Sequence, residues 1–279
     1  MLDTFFNGDF CRSSEARVSV DDRGFLFGDG VYEVIRFYHG NFFELGPHLS
    51  RLEQSAQKIH LRLPYSLKKI EKVCQELLGK GQIKNGKLYM QITRGAAPRI
   101  LQFPVQAEPT IMMKVSPVNE DELKEKQKGV TAITLPDERW NQCDIKSINL
   151  LPNILAKQKA RSQGYYEAIF IYSGKITEGA SSNVFAVLNG KLVTAPATNR
   201  ILKGITRDVT IELASEAGIP VEERFLVQDE LYQVSELFIT STTDEIIPIL
   251  CIDEYTINGA SVGRITGYLQ GVFRKRTYA

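Results

Sequence analysis

The chain has 279 residues, a formal net charge of +1 and 43% hydrophobic residues. This is the composition of an ordinary globular protein, long enough for one large domain or two medium ones. The balanced charge, without a basic run, argues against a surface dedicated to nucleic acid. No apolar stretch reaches the roughly 18 residues of a membrane span, and the start lacks the pattern of a signal peptide. We therefore expect a cytoplasmic protein.

Histidine and cysteine usage narrows the chemistry. The only histidines are His39, His48 and His60, and none has the spacing of a zinc-hydrolase motif, so we expect no metal. The four cysteines lie far apart and form no C-x-x-C pair, so we expect free, mostly buried thiols. The remaining candidates for difficult chemistry are a lysine nucleophile, carboxylates or a bound cofactor.

Strand and helix patterns alternate in the first hundred or so residues. β-branched and aromatic runs predict strands, whereas apolar residues at helical spacing predict helices. The predicted elements are strands at 31–38, 87–93 and 110–115, a helix at 47–61, and a helix from the N-cap Ser66 to about Gly79.

A change of composition between Ser116 and Gly129 predicts a domain boundary, because linkers favour charged, proline-containing sequence. We place a small N-terminal domain at 1–118 and a larger C-terminal domain at 119–279. In the second domain, Asn189-Gly190 predicts a hairpin turn. The other predicted elements are strands at 130–135, 167–172, 182–188, 191–195, 236–240 and 246–252, helices at 150–163 and 205–217, and a final helix containing Ile265 and Phe273. The fold class is α+β in two domains.

Lys146 stands in an apolar stretch before a predicted helix. An amine in a partly dry pocket is a usable nucleophile toward aldehydes. The alternative is a lysine that snorkels from the end of a strand.

Glu178 lies in the run Thr-Glu-Gly-Ala-Ser-Ser-Asn at 177–183. A carboxylate in this polar setting is able to bind a cationic ring nitrogen, the interaction that makes pyridoxal phosphate an electron sink. A simple turn between two strands is the alternative.

Two segments have the character of phosphate-binding loops. Residues 203–208 place a glycine and Thr206 at the start of a predicted helix, where backbone N–H groups attract anions. Residues 240–243 are four consecutive hydroxyl residues after an apolar strand. The alternatives are N-capping by Thr206 and an ordinary turn.

Taken in order along nearly the whole chain, these motifs resemble the class IV (fold-type IV) pyridoxal-phosphate enzymes. The motifs that carry the resemblance are Arg23 to Glu33, the helix holding Arg51, Lys146, Thr177 to Asn183, Gly204 to Thr206, and Thr240 to Thr243. The resemblance implies a small N-terminal α/β domain and a larger, barrel-like C-terminal domain with helices. It also implies a homodimer with each active site between the domains.

The resemblance assigns roles to individual residues. Lys146 would bind pyridoxal 5'-phosphate covalently and move protons, Glu178 would bind the pyridine nitrogen, and Arg51 would bind the phosphate. The other cofactor residues implied are Gly204, Ile205 and Thr206, Ser241 and Thr242, Leu202 on the ring, and Ser182 and Asn183 in the pocket wall. The implied activity is ping-pong transamination between an amino acid and a 2-oxo acid.

Residues 92–104 resemble the D-amino acid transaminases within this family. In that branch the arginine matching Arg99 reaches in from the neighbouring subunit and binds the substrate carboxylate, with the tyrosine matching Tyr32; a guanidinium fork suits a carboxylate. Leu101 stands where that pattern has histidine, and Arg36 resembles an arginine of branched-chain aminotransferases. An exposed loop arginine is the alternative for Arg99.

We therefore predict transamination of a D-amino acid such as D-alanine with a 2-oxo acid such as 2-oxoglutarate. The alternatives are a branched-chain L-amino acid aminotransferase and an aminodeoxychorismate lyase. Two further hypotheses involve no catalysis. One is a protein that binds pyridoxal phosphate without turnover, and the other is an α+β module without cofactor in which Lys146 is structural.

Overall fold

The computed structural model describes residues 2–277, which form two compact units. The first unit runs up to Val118 and also takes in Ile145–Asn149. The second comprises Asn119–Asp144 and the chain from Leu150 onward. The segment that contains Lys146 therefore belongs to the first unit, whereas the sequence analysis assigned it to the C-terminal domain.

The first unit is built on a six-stranded sheet in which every pair is antiparallel. Its strands are β1 (Thr4–Phe6), β2 (Asp9–Cys11), β3 (Gly30–Tyr38), β4 (Asn41–Phe42), β5 (Gly86–Thr93) and β6 (Thr110–Pro117). Their order in the sheet is β2-β1-β6-β5-β3-β4. Burial alternates along β5 and β6, as expected where successive side chains point to opposite faces.

Three helices belong to the first unit: α1 (Arg23–Phe27), α2 (Leu45–Lys58) and α3 (Leu67–Gly81). The predicted N-cap of α3 is confirmed, since the Ser66 side chain accepts a hydrogen bond from the amide of Lys69. The helices α2 and α3 bury their apolar faces, with Leu52 and Leu77 fully buried, in one core with side chains of the sheet. Burial of this kind contributes about 25 cal/mol per Å² of apolar surface.

The second unit contains a nine-stranded mixed sheet. Its strands are β7 (Val130–Pro136), β8 (Glu167–Tyr172), β9 (Lys175–Gly179), β10 (Asn183–Leu188), β11 (Lys191–Thr194), β12 (Val221–Glu223), β13 (Glu236–Ser241), β14 (Glu245–Ile252) and β15 (Tyr255–Thr256). Their order is β12-β11-β10-β13-β14-β7-β8-β9, with β15 paired to β14. The pairs β11/β12, β14/β7 and β7/β8 are parallel.

The helices of the second unit are α4 (Glu120–Lys126), α5 (Leu151–Ser162), α6 (Ile205–Glu216) and α7 (Arg264–Thr277), with short 3-10 turns at Gln228–Tyr232 and Asn258–Ala260. The helix α4 occupies the charged stretch that the sequence analysis treated as a linker. Asn119 caps it, its first turn is acidic and its last turn is basic, which complements the helix dipole. This order of charges, acidic first and basic last, was the signal in the sequence for a helix.

The predicted hairpin between β10 and β11 is confirmed. Asn189 and Gly190 both have positive φ (51° and 76°), the geometry that favours Asn-Gly in a two-residue turn. Gly218, with φ of 69°, follows the end of α6 as predicted. All four cysteines are free thiols, and within residues 2–277 no helix is long and apolar enough to cross a membrane.

Candidate active site

The segment that carries Lys146 is held against β3 in the first unit. The amide of Tyr32 donates to the carbonyl of Lys146 (3.0 Å), and Val31 and Ser147 form an antiparallel bridge. On the other side of the segment, the amide of Lys146 donates to Oγ of Ser55 on α2 (3.2 Å). The backbone of the lysine is therefore fixed by both a strand and a helix.

The Lys146 amine lies over an aromatic face. Its Nζ is 4.3 Å from the centroid of the Tyr32 ring, which in turn stacks on Tyr89 with centroids 5.8 Å apart. Within the described residues of its own unit, the amine forms no hydrogen bond or ion pair. Lys146 lies in an irregular segment alongside β3 and is partly buried.

Arg51 is buried in an ion-pair network with Glu33 and His48. Its Nε and Nη2 donate to the two carboxylate oxygens of Glu33 (2.7 and 2.9 Å), and Nδ1 of His48 lies 2.8 Å from Oε2. Burial alone would raise the pKa of Glu33, but the charge and hydrogen bonds of Arg51 and His48 lower it to about 2. Burial lowers the pKa of His48. The sequence indicated Arg51 as a site residue but not its pairing with Glu33 and His48.

Glu178 is the centre of a buried polar cluster in the second unit. Its carboxylate accepts hydrogen bonds from Nη1 of Arg139, from Nδ2 of Asn183 (3.1 Å) and from the amide of Leu202 (3.0 and 3.2 Å). Burial raises the pKa of Glu178 to about 7, although Arg139 and the Leu202 amide oppose this rise. Glu178, Asn183 and Leu202, each singled out from the sequence, are therefore in contact.

Sequence reasoning missed Asp137 and Arg139, which complete this cluster. The Arg139 guanidinium donates to both oxygens of Asp137 (2.9 and 2.8 Å) and lies 4.5 Å from the Phe170 ring centroid. Asp137 also accepts from the hydroxyl of Thr177 (2.9 Å). Burial opposes ionisation of Asp137, but the hydrogen bonds and charge of Arg139 lower its pKa. The charged triplet at 137–139, directly after the strand β7, was the available signal.

The start of α6 has open backbone donors. Gly204 is the N-cap and no side chain caps the helix, so N-capping by Thr206 is wrong. A Cβ at position 204 would collide with Oδ1 of Asn183. Asn183 is itself held by bonds to Glu178 and to the Leu202 carbonyl (2.8 Å), so this approach requires glycine. The amides of Ile205 and Thr206 belong to the first turn, where N–H groups lack helical partners.

The hydroxyl run at 240–243 divides into two roles. Ser241 donates to Asp244 (3.2 Å) and accepts from its amide (3.1 Å), which builds the turn between β13 and β14. Thr240 is buried, and its Oγ1 has no hydrogen-bond partner within residues 2–277. Thr242 is half-buried in the same turn. A buried hydroxyl without a partner marks a place where a ligand group would satisfy it.

Ser182 helps to hold the turn that contains it. Its hydroxyl donates to Oε2 of the buried Glu167 (3.1 Å), as does that of Ser181 (3.2 Å). Lys157 pairs with the same carboxylate at 3.0 Å. The predicted pocket-wall residue therefore positions the turn between Gly179 and Asn183.

The residues predicted to bind substrate all belong to the first unit. Arg99 is exposed, and its guanidinium carbon lies 5.3 Å from the Phe27 ring centroid. Leu101 is 81% exposed. Arg36 is fully buried, with its guanidinium 4.6 Å from the Tyr38 ring centroid. Tyr32 contacts Lys146, as described above.

Comparison with known proteins identifies the family. The family model described as amino-transferase class IV matches residues 30–252. The D-alanine aminotransferase of Bacillus licheniformis is 44% identical over 96% of this chain and 95% of its own length. The D-alanine aminotransferase of Staphylococcus epidermidis is 41% identical over 99% of this chain and 98% of its own length. The chain belongs to the class IV aminotransferases.

A solved structure agrees with this assignment. The branched-chain amino acid aminotransferase of Escherichia coli superposes with a TM-score of 0.92 at 28% identity, covering 98% of this chain and 93% of that one. The predicted two-domain α+β fold type is thereby confirmed. As a class IV aminotransferase, the enzyme depends on pyridoxal phosphate and acts on small molecules, an amino acid and a 2-oxo acid.

The side chains of this aminotransferase fit that cofactor. The second unit supplies a carboxylate for a protonated ring nitrogen (Glu178). For a phosphate it supplies the open N-terminus of α6 and the unpartnered hydroxyl of Thr240. The first unit supplies an amine for an aldehyde (Lys146). Within residues 2–277 no group of three or more His, Cys, Asp or Glu side chains is arranged to hold a metal ion.

When bound, pyridoxal phosphate supplies an aldehyde that captures the substrate amine and a ring that withdraws electrons. In the second unit, Glu178 would hold positive charge at the ring nitrogen, while Arg139 and the Leu202 amide orient that carboxylate. The amine of Lys146 would take the proton from the substrate Cα. General acid–base work of this kind contributes roughly a hundred- to ten-thousand-fold in rate.

Proposed function

We propose that this class IV aminotransferase moves an amino group between a D-amino acid such as D-alanine and a 2-oxo acid such as 2-oxoglutarate, by a ping-pong cycle. The observation that carries this proposal is the similarity to D-alanine aminotransferases, at 44% and 41% identity over nearly the full length of each chain. The position of Arg99 in the exposed loop after β5 supports it, because that side chain is available for a substrate carboxylate.

The proposed roles follow the chemistry of each side chain. Lys146 is the catalytic residue and binds the cofactor aldehyde, and Glu178 binds the ring nitrogen. Phosphate binding is assigned to Arg51, to Gly204, Ile205 and Thr206 at the start of α6, and to Ser241 and Thr242. Leu202 packs on the cofactor ring, and Ser182 and Asn183 line the pocket. Tyr32, Arg99 and Arg36 are assigned to the substrate.

A branched-chain L-amino acid aminotransferase is the second candidate. It is favoured by the likeness to the Escherichia coli enzyme of that name and by Leu101, which stands where the D-transaminase pattern has histidine. The aminodeoxychorismate lyase uses the same cofactor residues, and no separate observation favours it. The homodimer and the cytoplasmic location stay predictions.

A half-reaction separates these candidates. The purified enzyme, loaded with pyridoxal phosphate, is mixed separately with D-alanine, D-glutamate, L-leucine and L-glutamate, and the visible absorbance band of the bound cofactor is followed. We expect the two D-amino acids to bleach the band and the two L-amino acids to leave it unchanged. Bleaching by the L-amino acids alone would replace the proposal by the branched-chain assignment. A stable band with all four would direct attention to the lyase.

A further inference from the structure

The motif Arg23 to Gly30 has no place among the cofactor roles, yet the structure ties it tightly to one loop. That loop, residues 94–109 between β5 and β6, carries Arg99 and is named the Arg99 loop below. Asp22 caps α1 through the amide of Gly24 (2.8 Å). Its other carboxylate oxygen accepts from the hydroxyls of Thr93 (3.0 Å) and Thr110 (2.7 Å), the residues that flank the loop.

Arg23 binds the main chain of the Arg99 loop directly. It is 3% exposed, and its Nη1 donates to the carbonyls of Ile100 (2.6 Å) and Gln102 (3.4 Å), while Nη2 donates to that of Leu101 (3.3 Å). Its Nε donates to Asp29 (2.8 Å). One guanidinium thus holds the three carbonyls that directly follow Arg99.

A second arginine, Arg94, stands at the start of the Arg99 loop and pairs with the same carboxylate, that of Asp29. Arg94 donates to both oxygens of Asp29 (2.8 and 2.9 Å) and to the carbonyls of Ile59 and His60 after α2. Its guanidinium carbon lies 3.8 Å from the Phe103 ring centroid. Burial opposes ionisation of Asp29, but hydrogen bonds and charges from Arg94 and Arg23 lower its pKa.

We propose that Arg23, anchored by Asp29, is the positioning residue that places Arg99 for recognition of the substrate carboxylate. The Arg99 side chain has little of its own to hold it: it is exposed, and the Phe27 ring at the end of α1 is its aromatic neighbour. Its position therefore depends on the backbone that Arg23 holds. This inference rests on the proposed function, because it takes Arg99 as the carboxylate ligand.

The same geometry bears on Leu101. Arg23 contacts main-chain oxygens, so the loop is held in the same way whatever side chain stands at 100, 101 or 102. The Leu101 side chain is mostly exposed while its carbonyl is bound. Replacement of histidine by leucine thus changes a side chain and leaves the support of Arg99 in place, which is consistent with recognition of a D-amino acid.

The first test is kinetic. Arg23→Gln removes the charge and most of the fork while Arg94 still pairs with Asp29. We expect the KM for D-alanine and for 2-oxoglutarate to rise about ten- to a hundred-fold, because small misplacement of a binding group has effects of that order. We expect kcat to change by less than about three-fold, the pattern of lost substrate binding. Arg17→Gln is the matched control, since Arg17 is exposed and also donates to backbone carbonyls, those of Ser14 and Ala16.

The second test asks whether Arg23 acts through Arg99. If it does, Arg23→Gln added to Arg99→Ala raises KM no further than Arg99→Ala alone. Equal fold-changes in both backgrounds would overturn the inference, as would an unchanged KM in Arg23→Gln when Arg99→Ala raises it. Arg23→Lys, which keeps the charge beside Asp29 with a single donor group, should give an intermediate KM and covers the case in which Arg23→Gln fails to fold.

Hydrogen exchange supplies a readout that does not depend on turnover. In Arg23→Gln, amide exchange should rise in the Arg99 loop and stay unchanged in α3 and in the second unit. Unchanged exchange in the loop would overturn the inference even if KM rises. If the wild-type enzyme does not transaminate D-alanine, the proposed function fails by itself, whereas the exchange experiment still decides whether Arg23 holds the loop.

Discussion

The Nζ of Lys146 lies 4.3 Å from the centre of the Tyr32 ring, although the two residues come from distant parts of the sequence. The bond from the Tyr32 amide to the Lys146 carbonyl secures this arrangement through the backbone. Tyr32 lies near the end of the motif Arg23 to Glu33, and Lys146 lies in the segment Ile145–Asn149. Two motifs that are far apart in the sequence are thus joined in the structure.

Lys146→Ala is expected to remove both turnover and the visible band of the bound cofactor, because the amine is proposed as the covalent ligand and the proton carrier. The loss of proton transfer alone is worth roughly a hundred- to ten-thousand-fold in rate. Absorbance spectra and steady-state rates with D-alanine check this. Lys80→Ala is a matched control, since the Lys80 amine also lies on an aromatic ring of the same unit, 4.9 Å from the Phe10 centroid. Turnover retained by Lys146→Ala would end the assignment.

Glu178→Gln is expected to slow turnover about ten- to a hundred-fold while the cofactor still binds. The amide keeps the shape of the carboxylate but loses its charge, and a charge-assisted hydrogen bond is worth about 1.5–3 kcal/mol. Glu138→Gln is a suitable control, because Glu138 lies between Asp137 and Arg139 in the chain, is exposed, and forms no hydrogen bond with the residues described. An unchanged rate would show that the ring nitrogen has another partner.

Local pattern predicted much of the fold. Runs of β-branched and aromatic residues located β3 and β5, apolar residues at helical spacing located α2, the N-cap Ser66 located α3, and Asn189-Gly190 located a hairpin, because these signals lie within short windows of sequence. The helix α4 was missed because its charge was taken as linker character. The assignment of Ile145–Asn149 to the first unit was missed because it depends on pairing with β3, which composition does not reveal.

The residues of the candidate site divide in the same way, into those that a local motif indicates and those that only folding brings together. Lys146 and Glu178 could be proposed because their neighbours in sequence form motifs. Asp137 and Arg139 were missed because their effect on Glu178 arises only when β7 and β9 are folded. Likewise, Glu33 and His48 surround Arg51 only once β3 and α2 pack together, so the network of three groups was invisible in the sequence.

Arg139→Met is expected to shift the pH dependence of cofactor binding. Arg139 opposes the effect of burial on Glu178, so its loss should move the pKa of Glu178 further above 7. The carboxyl is then protonated at neutral pH, and cofactor affinity falls by a factor of about ten for each unit of pKa. Raising the pH should restore affinity. Fluorescence titration of the cofactor-free enzyme at several pH values measures this. Arg139→Lys, which keeps the charge, should resemble the wild type, and identical profiles for Arg139→Met and wild type would contradict the prediction.

Glu33 is expected to govern acid stability of the cofactor-free enzyme. Its pKa falls from a usual 4.5 to about 2 in the folded state, because Arg51 and His48 outweigh burial. The unfolded chain therefore binds a proton more readily than the folded one, and stability present above pH 4.5 is lost as the pH falls toward 2. At roughly 1.4 kcal/mol for each pH unit in that window, the contribution is about 3 kcal/mol.

Glu33→Gln should therefore destabilise the enzyme at pH 7 by about 3–5 kcal/mol, since it leaves Arg51 buried without its carboxylate. It should also flatten the loss of stability between pH 4.5 and 2. Burial lowers the pKa of His48 from 6.5, so stability is also lost as acid charges this imidazole. Urea unfolding across pH measures both effects. Glu76→Gln, which alters an exposed pair with Lys72, should change neither, and a wild-type acid profile in Glu33→Gln would refute the assignment.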